Sequence, residues 1–195
     1  MTNTSFVNAT FSAIDAVNQQ DPNTEPTAEG AIAKEHLYAQ RMTKQLNEFI
    51  QNPSEHLQIA CRAQHIKRWS IARKDYPMDR TGYKKWRVDL GAFHANLTAE
   101  LMAGVGYDEE DQERVKNILQ KRHIKRDSEV QSMEDVACLV FMKHHLANFS
   151  QKHDEPKLIG IIQKTWNKMS EQGQQAALSL PLSDKMLALV QKALS

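Results

Sequence analysis

Cysteine, glycine and proline are all scarce in this sequence. Its 195 residues include 2 Cys, 7 Gly and 6 Pro. Two cysteines are too few for a disulfide scaffold or a cysteine-rich zinc module. Both Cys61 and Cys138 lie in apolar stretches, where a free cysteine packs as a small hydrophobic residue. The low glycine and proline content argues against a disordered, collagen-like or turn-rich all-β protein.

Long hydrophobic runs and an excess of one charge are also lacking. The longest strictly apolar run covers residues 136–142, whereas a membrane span needs about 20 residues. Lys and Arg number 25 against 24 Asp and Glu, so we expect no polybasic surface that coats nucleic acid. The first residues lack the basic start and apolar core of a secretory signal. We therefore expect a cytoplasmic protein with no membrane partner; the oligomeric state stays open, a homo-oligomer included.

Apolar residues recur at helical spacing along nearly the whole chain, and no segment alternates as a strand would. The length suits one domain, and 41% hydrophobic with 25% charged residues is ordinary for a globular protein. The sequence predicts an all-α, single-domain helical bundle of about seven to nine helices. Residues 1–27 would form an N-terminal helix and a proline-containing arm, and residues 28–195 the domain itself, beginning with a helix over 28–51.

Residues 62–87, RAQHIKRWSIARKDYPMDRTGYKKWR, combine nine Lys and Arg with four aromatic side chains. Arginine binds phosphate or carboxylate through two parallel hydrogen bonds, and aromatic rings stack on bases and sugars. The segment therefore predicts a pocket for a small anionic or phosphorylated, nucleotide-like ligand. The alternative is a loop in which aromatic rings pack on arginine stems. The predicted ligand-binding residues are Arg62, Gln64, Arg68, Trp69, Arg73, Tyr76, Arg80, Tyr83, Trp86 and Arg87.

Histidines and carboxylates occupy helix positions that border apolar faces. Buried carboxylates cost several kcal/mol unless they are paired, hydrogen-bonded or metal-bound. Histidine and carboxylate side chains from several helices are a common way to hold Zn, Mn or Fe. The alternatives are that His65 is a satisfied core histidine and that Asp135 caps a helix or pairs with an arginine. The candidate metal ligands are Glu35, His36, His65, His94 and Asp135.

The order of His36, His65, His94 and Asp135 on successive helices resembles the HD superfamily of metal-dependent phosphohydrolases. The strings FHANLTAELMAGVGYDEEDQERVKNIL and EVQSMEDVACLVF are similar to that family in rhythm. The resemblance implies an HD-like helical bundle with one or two divalent metals, of Mn, Fe, Zn or Mg. His65 would be the histidine of the family's His-Asp dipeptide and Asp135 its distant aspartate. Ile66 stands where the dipeptide has its aspartate.

A second resemblance covers residues 28–194. The strings RAQHIKRW, ARKDYPMDRTGYKKWR, EDVACLVF and KTWNKMSEQG are similar to a microbial family catalogued as a domain of unknown function, the 4202 family. That resemblance implies a fold class and no established activity.

Three functions fit these patterns. The first is an HD-like, metal-dependent hydrolase of a small phosphorylated or nucleotide substrate, with Glu134 and Lys121 as catalytic residues beside the metal. The second is a non-catalytic anion- or nucleotide-binding or regulatory protein on a degenerate HD-like bundle, which Ile66 favours. The third is a helical interaction module that docks to a protein partner through residues 73–87.

Overall fold

The computed structural model describes residues 3–195. Helices account for 71% of the structure, which confirms the prediction of a mostly helical protein. The described residues form ten α-helices and one two-stranded antiparallel sheet, against the seven to nine helices predicted, and the HD-like architecture is not confirmed. The chain forms two compact units, one ending at Val130 and the other running from Gln131 to Ser195. The predicted division at residue 27 stays a prediction.

The first unit contains five helices and the sheet. Ser54, Asp79 and Asp108 each precede a helix, and each accepts a backbone hydrogen bond from its first turn, as N-cap residues do. In chain order the elements are α1 (Asn3–Asn18), β1 (Thr24–Thr27), β2 (Gly30–Ala33), α2 (Lys34–Phe49), α3 (Glu55–Ala63), α4 (Arg80–Val105) and α5 (Glu109–Leu119).

Polar contacts attach α1 to α3 and to the chain that follows it. The carboxylate of Asp15 accepts two hydrogen bonds from the guanidinium of Arg62, at 2.8 and 2.5 Å. Further along α1, the side-chain oxygen of Asn18 accepts a hydrogen bond from the backbone N–H of Lys67 at 3.0 Å. Lys67 has a left-handed backbone with φ 50°. Helix α1 therefore fixes the direction in which the chain leaves α3.

The predicted helix over residues 28–51 is wrong at its beginning, because the chain first forms a hairpin. β1 pairs with β2 in antiparallel register, with Thr27 opposite Gly30. Gly30 has φ 124°, a conformation that glycine adopts at little cost. The hydroxyl of Thr27 donates to the carbonyl of Gly30 at 2.7 Å and closes the turn.

Asp21 determines where α2 begins. Ala33 precedes the helix and offers no capping side chain, so the first turn needs an acceptor from elsewhere. The buried carboxylate of Asp21 accepts the backbone N–H of Glu35 at 3.1 Å and that of Asn23 at 2.9 Å. This contact sets the position of Glu35 at the start of α2.

Helices are the regular secondary structure of the second unit, and turns and irregular segments connect them. The apolar residues Val136, Leu139 and Val140 are fully buried, and a π-helical segment at Phe141–His145 follows them. No helix among residues 3–195 is both long and apolar enough to cross a membrane. The helices are α6 (Ser128–Val140, which begins in the first unit), α7 (Leu146–Ser150), α8 (Glu155–Trp166), α9 (Glu171–Leu178) and α10 (Asp184–Leu194).

An ionic cluster joins α5 to the beginning of α6 within the first unit. The guanidinium of Arg114 binds the carboxylates of Asp127 and Glu129, and Glu129 also accepts from the hydroxyl of Ser54. Asp127 accepts the backbone N–H groups of Glu129 and Val130 at 3.0 and 3.3 Å. The hydrogen bond from Arg114, with smaller contributions from these amides, lowers the pKa of Asp127 to about 2.

We expect Asp127 to contribute to acid stability. Its unfolded pKa is about 3.9, so its contribution is complete above that pH and is lost as the pH falls towards 2. Partial exposure of the cluster reduces the contribution to about 1–2 kcal/mol. Asp127→Asn keeps the capping oxygen and loses the charge, so urea unfolding should show a smaller loss of stability between pH 5 and pH 2 than in wild type. Asp75→Asn, at an exposed carboxylate, should keep the wild-type profile; an Asp127→Asn profile equal to wild type would contradict the assignment.

Candidate functional site

A cleft of about 360 Å³ opens in the first unit. Three segments form it: the end of α3 with the turn after it, the middle of α4, and the turn that follows α5. Among the described residues that line it, none is Asp or Glu. The residues that line the cleft are Gln64, His65, Arg68, Arg87, Val88, Leu90, Gly91, Ala92, His94, Leu119, Gln120, Lys121 and Arg122.

Arg68 and Arg87 are two of the four basic residues that line the cleft. The guanidinium of Arg68 lies 4.8 Å from the ring centre of Trp86, and the indole N–H of Trp86 donates to the carbonyl of Ile71 at 3.0 Å. Burial lowers the pKa of Arg68, and the neighbouring Arg87 lowers it further, while Glu35 opposes both effects. Within the described residues, neither Arg68 nor Arg87 hydrogen-bonds or forms an ion pair through its guanidinium. The cleft therefore contains two close positive charges with no carboxylate in direct contact.

His65 is held in place by α2. Its Nδ1 lies 3.2 Å from a carboxylate oxygen of Glu35, and its ring stacks on Tyr38 with 4.0 Å between ring centres. The hydroxyl of Tyr38 donates to the side-chain oxygen of Gln64 at 2.6 Å. These contacts fix the orientation of two side chains that line the cleft.

His94 lines the cleft and has a buried, unpaired ring nitrogen. The residue is only 4% exposed, and its Nε2 has no hydrogen-bond partner among residues 3–195. Burial first, and then the nearby His65 and Arg68, lower the pKa of His94 well below its usual range, against a hydrogen bond to the backbone of Gln64. His94 is therefore neutral at physiological pH.

Lys121 lies in the turn that ends α5. Its backbone is left-handed, with φ 56°. The backbone N–H of Lys121 donates to Ile118 and that of Arg122 to Asn117, each at 3.0 Å. Glycine usually occupies this position after a helix, because a side chain strains the left-handed backbone. Strained residues of this kind cluster at functional sites.

Six of the predicted site residues line the cleft: Gln64, His65, Arg68, Arg87, His94 and Lys121. Glu35 is not among the lining residues, and its carboxylate lies 3.2 Å from Nδ1 of His65. Other predicted ligand-binding residues have structural contacts instead: Arg62 pairs with Asp15, Arg73 donates to the carbonyl of Tyr76 at 3.0 Å, and the hydroxyl of Tyr76 donates to Asp89 at 2.9 Å. Outside the lining lie Trp69, Arg80, Tyr83 and the buried Trp86.

The predicted metal ligands are not grouped as a metal would require. Nδ1 of His36 lies 3.5 Å from Asp15. Glu134, which was predicted as a catalytic residue and not as a metal ligand, lies in the second unit, 3.6 Å from the ammonium of Lys168. Across residues 3–195, no three His, Cys, Asp or Glu side chains are arranged to hold a metal ion. The residues present therefore do not fit the divalent metal that the HD resemblance implies.

Asp135 instead binds the N-terminus of α9. Its carboxylate accepts the backbone N–H and the hydroxyl of Ser170 at 2.8 and 2.5 Å, and the amide of Gln131 at 3.0 Å. The hydroxyl of Ser170 in turn accepts the backbone N–H of Gly173 at 3.0 Å. A Cβ atom at Gly173 would lie 2.7 Å from the Asp135 carboxylate. This geometry agrees with the alternative that Asp135 caps a helix.

Sequence reasoning missed seven residues that line the cleft, of which four are the apolar Val88, Leu90, Ala92 and Leu119. The other three are Gly91, Gln120 and Arg122. Gly91 carried a usable signal, because an isolated glycine inside a helix costs about 1 kcal/mol relative to alanine and often has a packing or functional reason. A Cβ atom at Gly91 would meet no atom within 4 Å. Arg122 pairs with Glu113 at 3.2 Å, and neither it nor Gln120 stands out in the sequence.

The family model that matches this chain is described as a domain of unknown function, DUF4202, and the match covers residues 8–190. The chain belongs to the DUF4202 family. No curated protein and no solved structure matches it. The predicted 4202-family resemblance is thus confirmed, whereas the HD resemblance receives no support.

The role of Asp135 in this DUF4202 chain can be tested by substitution. Asp135→Ala leaves two donors of Ser170 without an acceptor, so the free energy of unfolding should fall by about 1–3 kcal/mol. Asp135→Asn keeps one acceptor oxygen and should cost less. Urea unfolding at pH 7 measures both. The metal hypothesis predicts a different result, in which chelator lowers the melting temperature of the wild type and not of the variants.

Proposed function

We propose that this protein binds a small phosphorylated anion in the cleft of its first unit. The observation that supports this proposal is the pair Arg68 and Arg87, whose guanidinium groups make no hydrogen bond or ion pair within the described residues. Burial and the nearby Arg87 disfavour the charge of Arg68, and Glu35 opposes both effects. An anion would relieve that repulsion and accept the unused guanidinium donors. Phosphate suits the site because its oxygens accept from two guanidinium groups at once.

Two further features support a phosphate ligand. Lys121 adds a third positive charge to the cleft from a strained backbone position. The stacking of Arg68 on Trp86 limits the rotamers of that arginine, so less entropy is lost when a ligand binds. The cleft volume of about 360 Å³ lies at the lower end of the range for small-molecule sites.

The proposal is for binding without turnover. A hydrolase of the HD type needs a metal to activate water and polarise the phosphoryl group, and the donors around this cleft are not grouped to hold one. Release of phosphate from a phosphate ester by the purified protein, with or without added Mn²⁺, would contradict the non-catalytic part of the proposal.

Calorimetric titration with inorganic phosphate and pyrophosphate tests the binding itself, with sodium chloride at matched ionic strength as the control for screening. Arg68→Met and Arg87→Met should each weaken binding about tenfold or more, because a hydrogen bond to a charged group contributes about 1.5–3 kcal/mol. Arg80→Met is the matched control, since Arg80 is exposed at the start of α4 and outside the cleft. Equal affinity in all three variants, or no binding to wild type, would refute the site.

Lys121→Gly should lower the affinity for phosphate without lowering the free energy of unfolding. Glycine removes the left-handed strain and adds flexibility to the unfolded chain, so stability should stay constant or rise by up to about 1 kcal/mol. Phosphate affinity should fall several-fold because a positive charge leaves the cleft. His123→Gly is the control: His123 has φ 58°, is exposed and does not line the cleft, so its affinity should equal that of wild type. A Lys121→Gly protein with wild-type affinity would remove Lys121 from the site.

A further inference from the structure

The cleft has more positive charge than one phosphate neutralises. None of the described residues that line it is Asp or Glu, whereas four are Lys or Arg: Arg68, Arg87, Lys121 and Arg122. A phosphate group bears a charge of about −1.5 to −2 at pH 7, so it compensates about two of these four charges. A cleft lined by charges of one sign attracts an anion of matching charge. The lining therefore indicates a ligand with more than one phosphate group.

The guanidinium groups of the cleft are held on two different helices. That of Arg68 lies 4.8 Å from the ring centre of Trp86 on α4. Arg122 instead donates through Nη1 to the side-chain oxygens of Glu113 and Asn117 on α5, at 3.2 and 3.0 Å. The cleft therefore presents one positive group on its α4 side and another at the end of α5.

Arg122 keeps hydrogen-bond donors for a ligand. Its side chain is 48% exposed, and an exposed ion pair such as the one with Glu113 contributes little to stability. A guanidinium has five N–H donors. Both bonds to α5 come from Nη1, and among the contacts of residues 3–195 Nε and Nη2 donate to nothing. Those two nitrogens form one of the forks with which arginine binds two phosphate oxygens.

The cleft is also larger than one phosphate needs. Its volume is about 360 Å³. A phosphate has one phosphorus and four oxygen atoms, and at about 30 Å³ each, the share of a water molecule in the liquid, they fill less than half of that volume. A second phosphate group therefore has room beside the first.

We infer that the cleft binds an anion with two linked phosphoryl groups, a diphosphate or a diphosphate ester. Arg68 and Arg87 bind one phosphoryl group, Arg122 binds the other, and Lys121 contributes charge to both. This inference rests on the proposed phosphate site and adds the class of anion that the site selects. Inorganic phosphate and phosphate monoesters occupy only the side of Arg68 and Arg87.

Calorimetry at pH 7 without divalent cations, at matched ionic strength, compares inorganic phosphate, pyrophosphate and citrate. Wild type should bind pyrophosphate at least tenfold more tightly than phosphate, because a further set of charged hydrogen bonds forms. Citrate has three carboxylates but no phosphoryl group, so it controls for charge alone. Its affinity should stay below that of pyrophosphate.

A matched pair of variants tests the role of Arg122. Arg122→Gln should lower the pyrophosphate affinity about tenfold and leave the phosphate affinity at the wild-type value. Arg126→Gln removes the same charge from the same connector, at an exposed residue outside the cleft. Its affinities for both anions should equal those of wild type.

ADP distinguishes a diphosphate ester from the free anion. ADP affinity equal to or above that of pyrophosphate assigns the site to diphosphate esters. Weaker binding of ADP than of pyrophosphate assigns it to free diphosphate. Both results support two linked phosphoryl groups, provided that wild type prefers pyrophosphate to phosphate.

The remaining outcomes separate this inference from the proposed function. If wild type binds neither phosphate nor pyrophosphate, the phosphate site itself is wrong. If wild type binds the two anions equally, or citrate as tightly as pyrophosphate, the site stands and the diphosphate class is wrong. A preference for pyrophosphate that persists in Arg122→Gln, or that is lost equally in Arg126→Gln, also overturns the inference.

Discussion

The ion pair between Asp15 and Arg62 is the contact on which the cleft of the first unit depends. It attaches α1 to α3, and the neighbouring contact from Asn18 to Lys67 holds the left-handed turn after α3. That turn brings Arg68 over the ring of Trp86 on α4. None of the described residues that line the cleft belongs to helix α1, yet the direction in which Arg68 points depends on this helix.

The helices could be predicted from the sequence because each carries several turns of apolar residues at a period near 3.6. The hairpin could not, because four-residue strands are too short to show a period of two, and Ile32 also fits the helical stripe of α2. The positive φ of Gly30 and the capping contact from Asp21 determine that this region forms a hairpin before the helix begins. Asp21 acts across 14 residues, which a local pattern does not show.

The candidate site was predictable in part for a similar reason. Arginine and histidine side chains near the end of α3 and on α4 were recognisable by type and density, and four of them line the cleft: His65, Arg68, Arg87 and His94. Tyr76 and Arg73 have the same local signal, but each finds a partner close by in the fold, Asp89 for the tyrosine and backbone carbonyls for the arginine. Burial of Asp135 was also predictable, whereas its partner Ser170, 35 residues away, was not.

The contact between Asp135 and Gly173 has a consequence for how this family can vary. With a carboxylate at position 135, any side chain at position 173 would overlap it, since even a Cβ would lie 2.7 Å away. The two positions therefore form an epistatic pair. Alanine or serine at position 173 fits without moving the carboxylate only where position 135 has a shorter side chain, so aligned relatives with a side chain at 173 should have a shorter residue at 135.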